Sequence, residues 1–175
     1  MTGPHVPWRT ALRPIEHWLV RLLPARIFRR FYSAKDFERD IILSLHPQEP
    51  PRVHLPGNFK PAFLGLCIVV RNASPFLDAR IVSYSLMLTS ADYWGSQGGQ
   101  FGDVDDWTLR ALSRGEECYL HPQLFLTECQ LRIARAVVKK TAILEAFLVV
   151  WMETDIGRLS VHTGFNIGSH LVACP

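Results

Sequence analysis

The sequence predicts a mainly β fold, a two-layer antiparallel sandwich with an amphipathic helix in front of it. Three observations carry that prediction. Residues 63–89, FLGLCIVVRNASPFLDARIVSYSLMLT, read as a strand, a polar turn and a second strand. Residues 147–163 read as a hairpin, with Phe147 to Glu153 and Arg158 to Thr163 flanking the turn Thr154-Asp155-Ile156-Gly157. Residues 14–30 instead repeat apolar side chains at three- and four-residue spacing, which is the period of a helix. At 175 residues and 48% apolar, the chain can bury one core of ordinary size.

The N-terminal fifth is chemically distinct. Residues 1–40 carry eight Lys/Arg against four Asp/Glu, whereas residues 41–175 carry eleven against twelve, so the arm holds all of the positive excess. Two parts follow: a basic amphipathic helical arm over 1–40 and a sandwich domain over 41–175. In the arm, Ile15, Trp18, Leu19 and Leu22 share one face, with Pro14 tolerated in the first turn. Past Pro24, the run ARIFRRFYS keeps Ile27, Phe28 and Phe31 apolar among arginines. Arginines opposite Trp, Leu and Phe are the composition of a helix lying on a bilayer or on a partner. Trp18, Arg21, Leu22, Arg26, Phe28, Arg29 and Arg30 are the candidate contacts with an anionic membrane surface or partner protein. The competing reading packs the same stripe on the chain's own domain. Nucleic acid is disfavoured, because the aromatics alternate with aliphatics at helical spacing and no stacking sheet or zinc finger is present.

The opening residues lack an apolar core and a small-residue cleavage site of secretory type, and the longest apolar run falls short of the roughly 20 residues a membrane-spanning helix needs. Cys67, Cys118, Cys129 and Cys174 follow no C-x-x-C spacing, and Cys67 sits in an apolar run as a buried free thiol would. A reducing cytoplasmic location is expected, with peripheral membrane attachment if the arm binds lipid.

In the sandwich part, IILSLH over 41–46 alternates with Ile41, Leu43 and Leu45 on one face. The proline-rich stretch after it, PQEPPRVHLPGNFKP, favours an extended edge or an irregular crossing, with a short strand at Val53 to Leu55. Leu66 to Val70 is one continuous apolar strand, and Arg71 to Pro75 supplies turn chemistry. Asn72-Ala73-Ser74 matches a glycosylation tripeptide, but Pro75 makes a turn the better reading. Val82, Tyr84, Leu86 and Leu88 then alternate against Ile81, Ser83, Ser85 and Met87.

Residues 90–108, SADYWGSQGGQFGDVDDWT, read as a long acidic and aromatic loop whose glycines follow no phosphate-binding order. Tyr93, Trp94, Phe101 and Trp107 are its candidate contacts, and Asp103, Asp105 and Asp106 are candidate metal ligands that lack the rest of a regular calcium loop. Residues 127–140 fit either period: Leu131, Ala134, Val138 and Ala142 recur as on a helix, while Leu131, Ile133, Arg135 and Val137 alternate. The β-branched residues downstream tilt that choice toward strand. Phe165 to Val172 closes the fold as an edge strand.

No cofactor is expected and no enzymatic site emerges. The seven histidines form no H-x-H or H-x-x-x-H pair, although a distant pairing of His46 or His54 with His162 stays open. There is no serine elbow, and no cysteine has a histidine placed as its base.

The stretch LCIVVRNASPFLDARIVSYSLML resembles the late embryogenesis abundant type 2 group, whose WHy domain sets an Asn-Pro-type turn between two such strands. The later FLVVWMETDIGRLSVHT stands where that family would close its sandwich. The resemblance implies an immunoglobulin-like β-sandwich without catalytic residues, in a group often associated with membranes. The expectation is therefore a non-catalytic binding or structural module attached through its basic arm, with homo-oligomers allowed. A ligand- or calcium-binding sandwich, or an enzyme, using loop 90–108 is the alternative.

Overall fold

Alternation of apolar and polar residues produces strands of 10 to 13 residues at Ala79–Ala91, Ile143–Thr154 and Gly157–Asn166. The computed structural model describes residues 32–56, 61–91 and 99–174. Within them lie the strands β1 (Ile41–Leu45), β2 (Arg52–His54), β3 (Phe63–Gly65), β4 (Ile68–Asn72), β5 (Ala79–Ala91), β6 (Gly99–Leu112), β7 (Glu117–Leu120), β8 (Gln123–Phe125), β9 (Ile143–Thr154), β10 (Gly157–Asn166) and β11 (Val172–Cys174). Two helices accompany them, α1 (Ala34–Asp40) and α2 (Glu128–Val138). The arm candidates Trp18, Arg21, Leu22, Arg26, Phe28, Arg29 and Arg30, and the loop candidates Tyr93 and Trp94, lie outside the described residues.

One layer is the four-stranded sheet β10-β9-β5-β6. The other is built from two shorter sheets, β1-β4-β7 and β11-β2-β3-β8. Among the described residues every pairing is antiparallel except β11 on β2. The inward faces meet as one apolar core: Tyr84, Leu86, Leu88, Leu148, Val150 and Met152 from the long sheet, and Ile41, Leu64, Ile68, Val70 and Leu120 from the opposing strands. Burial of each such side chain contributes about 1.5–3 kcal/mol.

Residues 63–72 are not one strand. Leu66 and Cys67 separate β3 from β4, as His121 and Pro122 separate β7 from β8. Pro122 has no N–H to give; its carbonyl takes the Leu66 N–H at 3.2 Å, and the ladder is interrupted there. β4 and β5 in turn belong to different sheets, so the Asn72–Asp78 turn carries the chain from one layer to the other. A bulge between Ile81 and Ser83 shifts the face of β5, so that Ile81 and then Tyr84, Leu86 and Leu88 point inward. β2 lies between β11 and β3 and not at an edge, because Arg52–His54 is the proline-free part of its segment.

The turn after β4 is fastened by Asn72, whose side chain is fully buried. Its Nδ2 donates to the carbonyls of Leu77 (2.8 Å) and Leu112 (3.1 Å), and its Oδ1 accepts the Ser74 N–H (3.0 Å). Ser74 Oγ accepts from the Phe76 and Leu77 N–H groups and pairs with the Tyr32 hydroxyl, which donates to Asp40 at 2.6 Å. Tyr32 and Phe37 are core residues, so α1 is packed into the sandwich. A capping box between Ser33 and Asp36 starts that helix.

Three readings of the second half are corrected. Residues 127–140 form a helix and not a strand: Thr127 and Gln130 make a reciprocal capping box, and Leu131, Ala134 and Val137 bury one helical face. The supposed loop over 90–108 is strand from Gly99 onward, paired with β5. After β10 the chain turns through a short 3-10 segment, Gly168–His170, before β11, so Phe165 to Val172 is not one edge strand. The hairpin at 154–157 forms as expected, with Gly157 at φ 131°, a conformation that favours glycine.

Candidate functional site

Because β9 alternates, its residues Phe147, Val149 and Trp151 face away from the core. Register places their neighbours. Trp151 lies between Ser160 of β10 and Ser83 of β5, and Ser83 pairs onward with Trp107 of β6. The next rows are His162–Val149–Ser85–Asp105 and Gly164–Phe147–Met87–Asp103. The outer face of the long sheet thus holds an aromatic centre bounded on the β6 side by carboxylates. Trp107 is 82% exposed and Leu109 68%, and Met87, Phe147 and Trp151 are also exposed. Exposed apolar side chains contiguous across several strands mark an interaction surface.

A depression of about 320 Å³ lies on this face, lined by Thr89, Glu145, Phe147, Gly164 and Asn166. Gly164, opposite Phe147, leaves the sheet uncovered there. At one end of the face Glu153 is bound by Arg80 (2.5 Å) and Arg158 (2.8 Å), which hold its carboxyl below the usual range. Asp103, Asp105 and Glu145 make no ion pair with any described residue.

The sequence candidates of 99–108 separate in the structure. Trp107 is on the outer face, whereas Phe101 is 2% exposed and belongs to the core, and its own carbonyl accepts from the Gln130 side-chain amide. Asp103 and Asp105 point outward, but Asp106 pairs with Tyr84 on the inner side, and burial with that carboxylate pushes the Tyr84 hydroxyl up to about 12. Adjacent strand residues face opposite ways, so the three aspartates do not converge on one cation.

A different set of donors does converge. One imidazole nitrogen of His46, one carboxylate oxygen of Glu49 and Sγ of Cys67 lie within 4.8 Å of one another. His46 follows β1 and Cys67 precedes β4, so the pair extends the Leu45–Ile68 register, with the His46 N–H donating to the Cys67 carbonyl at 2.9 Å. The Gln48 N–H donates to His46 Nδ1 at 3.2 Å, and the ring meets Tyr119 edge-on. Cys67 is 5% exposed; burial, with the negative charge of the neighbouring Glu49 carboxylate, pushes the thiol up to about 11. Glu49 and Cys67 border an open cleft of about 220 Å³, which His54 and His121 also line. His162 stands apart, on the outer face beside Phe147, so the pairing of His46 or His54 with His162 is not formed. All four cysteines are unpaired. No helix among the described residues is long and apolar enough to cross a membrane.

No protein-family model matches the chain, and no curated protein is significantly similar to it in sequence. Among solved structures, the chain is similar to a structural-genomics target called SoR45, at 8% identity over 73% of this chain and 85% of that one, with a TM-score of 0.42. A protein described as ApaA from Bordetella pertussis is 14% identical over 73% and 88%, with a TM-score of 0.42, and a protein from Archaeoglobus fulgidus is 10% identical over 72% and 94%, with a TM-score of 0.39. Likenesses of this size carry no conclusion, and the β-sandwich rests on the strand pairings themselves.

Proposed function

We propose that the protein is a non-catalytic binding module, an immunoglobulin-like sandwich of the late embryogenesis abundant type 2 kind, whose binding surface is the outer face of β10-β9-β5-β6. The observation that carries this reading is the exposed aromatic row of Trp107 and Trp151 beside carboxylates at Asp103 and Asp105 that form an ion pair with no described residue. The occupant that fits is a basic amphipathic segment, apolar toward the indoles and cationic toward the aspartates. An anionic bilayer would be repelled by those carboxylates. The chain itself carries a segment of the required chemistry, with Trp18, Leu22 and Phe28 among Arg21, Arg26, Arg29 and Arg30. The partner is therefore a second copy, each arm seated on the other's sheet.

A charge exchange tests it. One variant carries Asp103→Lys with Asp105→Lys, the other Arg29→Glu with Arg30→Glu. Each alone is expected to be monomeric, and an equimolar mixture to recover a heterodimer, since both arm-and-face contacts are again complementary. Variants that self-associate like the parent, or a mixture that stays monomeric, overturn the proposal. A monomeric parent that sediments with acidic vesicles through Arg29 and Arg30 also overturns it, and assigns the arm to lipid.

A further inference from the structure

We infer that His46, Glu49 and Cys67 form a binding site for a divalent metal ion of borderline softness, zinc foremost, with its fourth position open to the cleft. The three donors come from two segments that the fold fixes independently. His46 and Glu49 are three residues apart on the turn leaving β1, and Cys67 sits in the break between β3 and β4. The backbone bond from His46 to Cys67 ties those segments together beneath the donors. One nitrogen, one oxygen and one sulfur is the ligand set of zinc and its neighbours, while calcium and magnesium take oxygen alone.

Metal–ligand bonds of about 2.0–2.3 Å set tetrahedral donors roughly 3.3–3.8 Å apart. Donors already within 4.8 Å reach that spacing by a closure of about 1 Å. The Glu49 side chain is exposed and free to make most of that movement. Coordination replaces the Sγ proton, which leaves to solvent, and ends the Gln48 N–H bond to His46 Nδ1, because a neutral imidazole that binds a metal through one nitrogen carries its proton on the other. Three protein ligands, two of which line an open cleft, match the arrangement in which zinc keeps one exchangeable position. A nucleophilic cysteine is the competing role for the same residues. It is disfavoured because the thiol is buried beside the Glu49 carboxylate, whose negative charge opposes a free thiolate there.

Titration of the reduced full-length protein with Co²⁺, followed by displacement with Zn²⁺, reads the site directly. One Co²⁺ per chain is expected, with a near-ultraviolet thiolate-to-cobalt charge-transfer band that Zn²⁺ abolishes. Cys67→Ser removes the band, and His46→Gln and Glu49→Gln each weaken binding by about tenfold or more. Cys129→Ser, at an exposed position on α2, leaves the band intact. No saturable band, a band that survives Cys67→Ser, or one lost in Cys129→Ser overturns the proposal. Glu49→Gln removes no buried group and stays folded, so unchanged affinity in that variant also counts against the site.

Discussion

Asn72 shows how one side chain can hold two layers together. It is fully buried, and its amide satisfies carbonyls on the turn and on β6 while its oxygen takes the Ser74 N–H. Asn72→Ala strands two carbonyls in the core, and the expected loss is about 2–4 kcal/mol, read as a lower urea midpoint. Asn72→Asp keeps the acceptor and loses both donations, so it is expected to be destabilising as well. The sequence signals a turn at Asn72-Ala73-Ser74-Pro75, and a turn forms; nothing local signals that Leu112 is the distant partner.

In the metal-free protein, Tyr84 and Cys67 supply a pH dependence at the same scale. Their folded pKa values are raised, from 10.0 to about 12 and from 9.0 to about 11, so the native state holds these protons more tightly than the unfolded chain. That contribution is complete below the unfolded values and is lost as pH rises through the folded ones. Stability against urea is expected to fall between about pH 9 and 12. Tyr84→Phe should flatten the upper part of the fall; an unchanged alkaline limb would show that Tyr84 does not titrate there.

Among the elements, α2 is the clearest case of two periods competing. Leu131, Ile133, Arg135 and Val137 alternate as on a strand, yet Leu131, Ala134 and Val137 are the residues that become buried. The deciding signal was present at Thr127 and Gln130, a Thr-x-x-Gln capping box that a strand has no use for. Thr127→Ala is expected to cost about 1 kcal/mol and to lower the melting temperature, whereas the same change at the exposed Thr141 has a smaller effect. β6 misled for a different reason. Its glycines and aspartates are poor strand formers, and pairing with β5 overrides that preference. Gly102 lies under Leu124 of β8, where a Cβ would collide. The convergence of His46, Glu49 and Cys67 was not legible at all, because it depends on the register of β1 against β4.

At the scale of the whole molecule, hydrophobic alternation made the sandwich legible, since a half-buried sheet must bury one set of alternate residues. The same alternation assigns Phe147, Val149 and Trp151 to the outside, but one strand alone does not reveal a surface. The aromatic face exists because β9 and β6 set their tryptophans in the same row, on either side of Ser83. Its carboxylates match the basic arm in charge, and association through such a contact weakens with salt.

Sedimentation velocity of the full-length protein over a range of concentration and salt tests this account most directly, with Trp107→Ser beside the parent. The predicted result is a reversible dimer that dissociates on dilution or at high salt, and that Trp107→Ser renders monomeric while its melting temperature stays near the parent's. A parent that sediments as a monomer under every condition, or a Trp107→Ser protein that dimerises equally well, would contradict it.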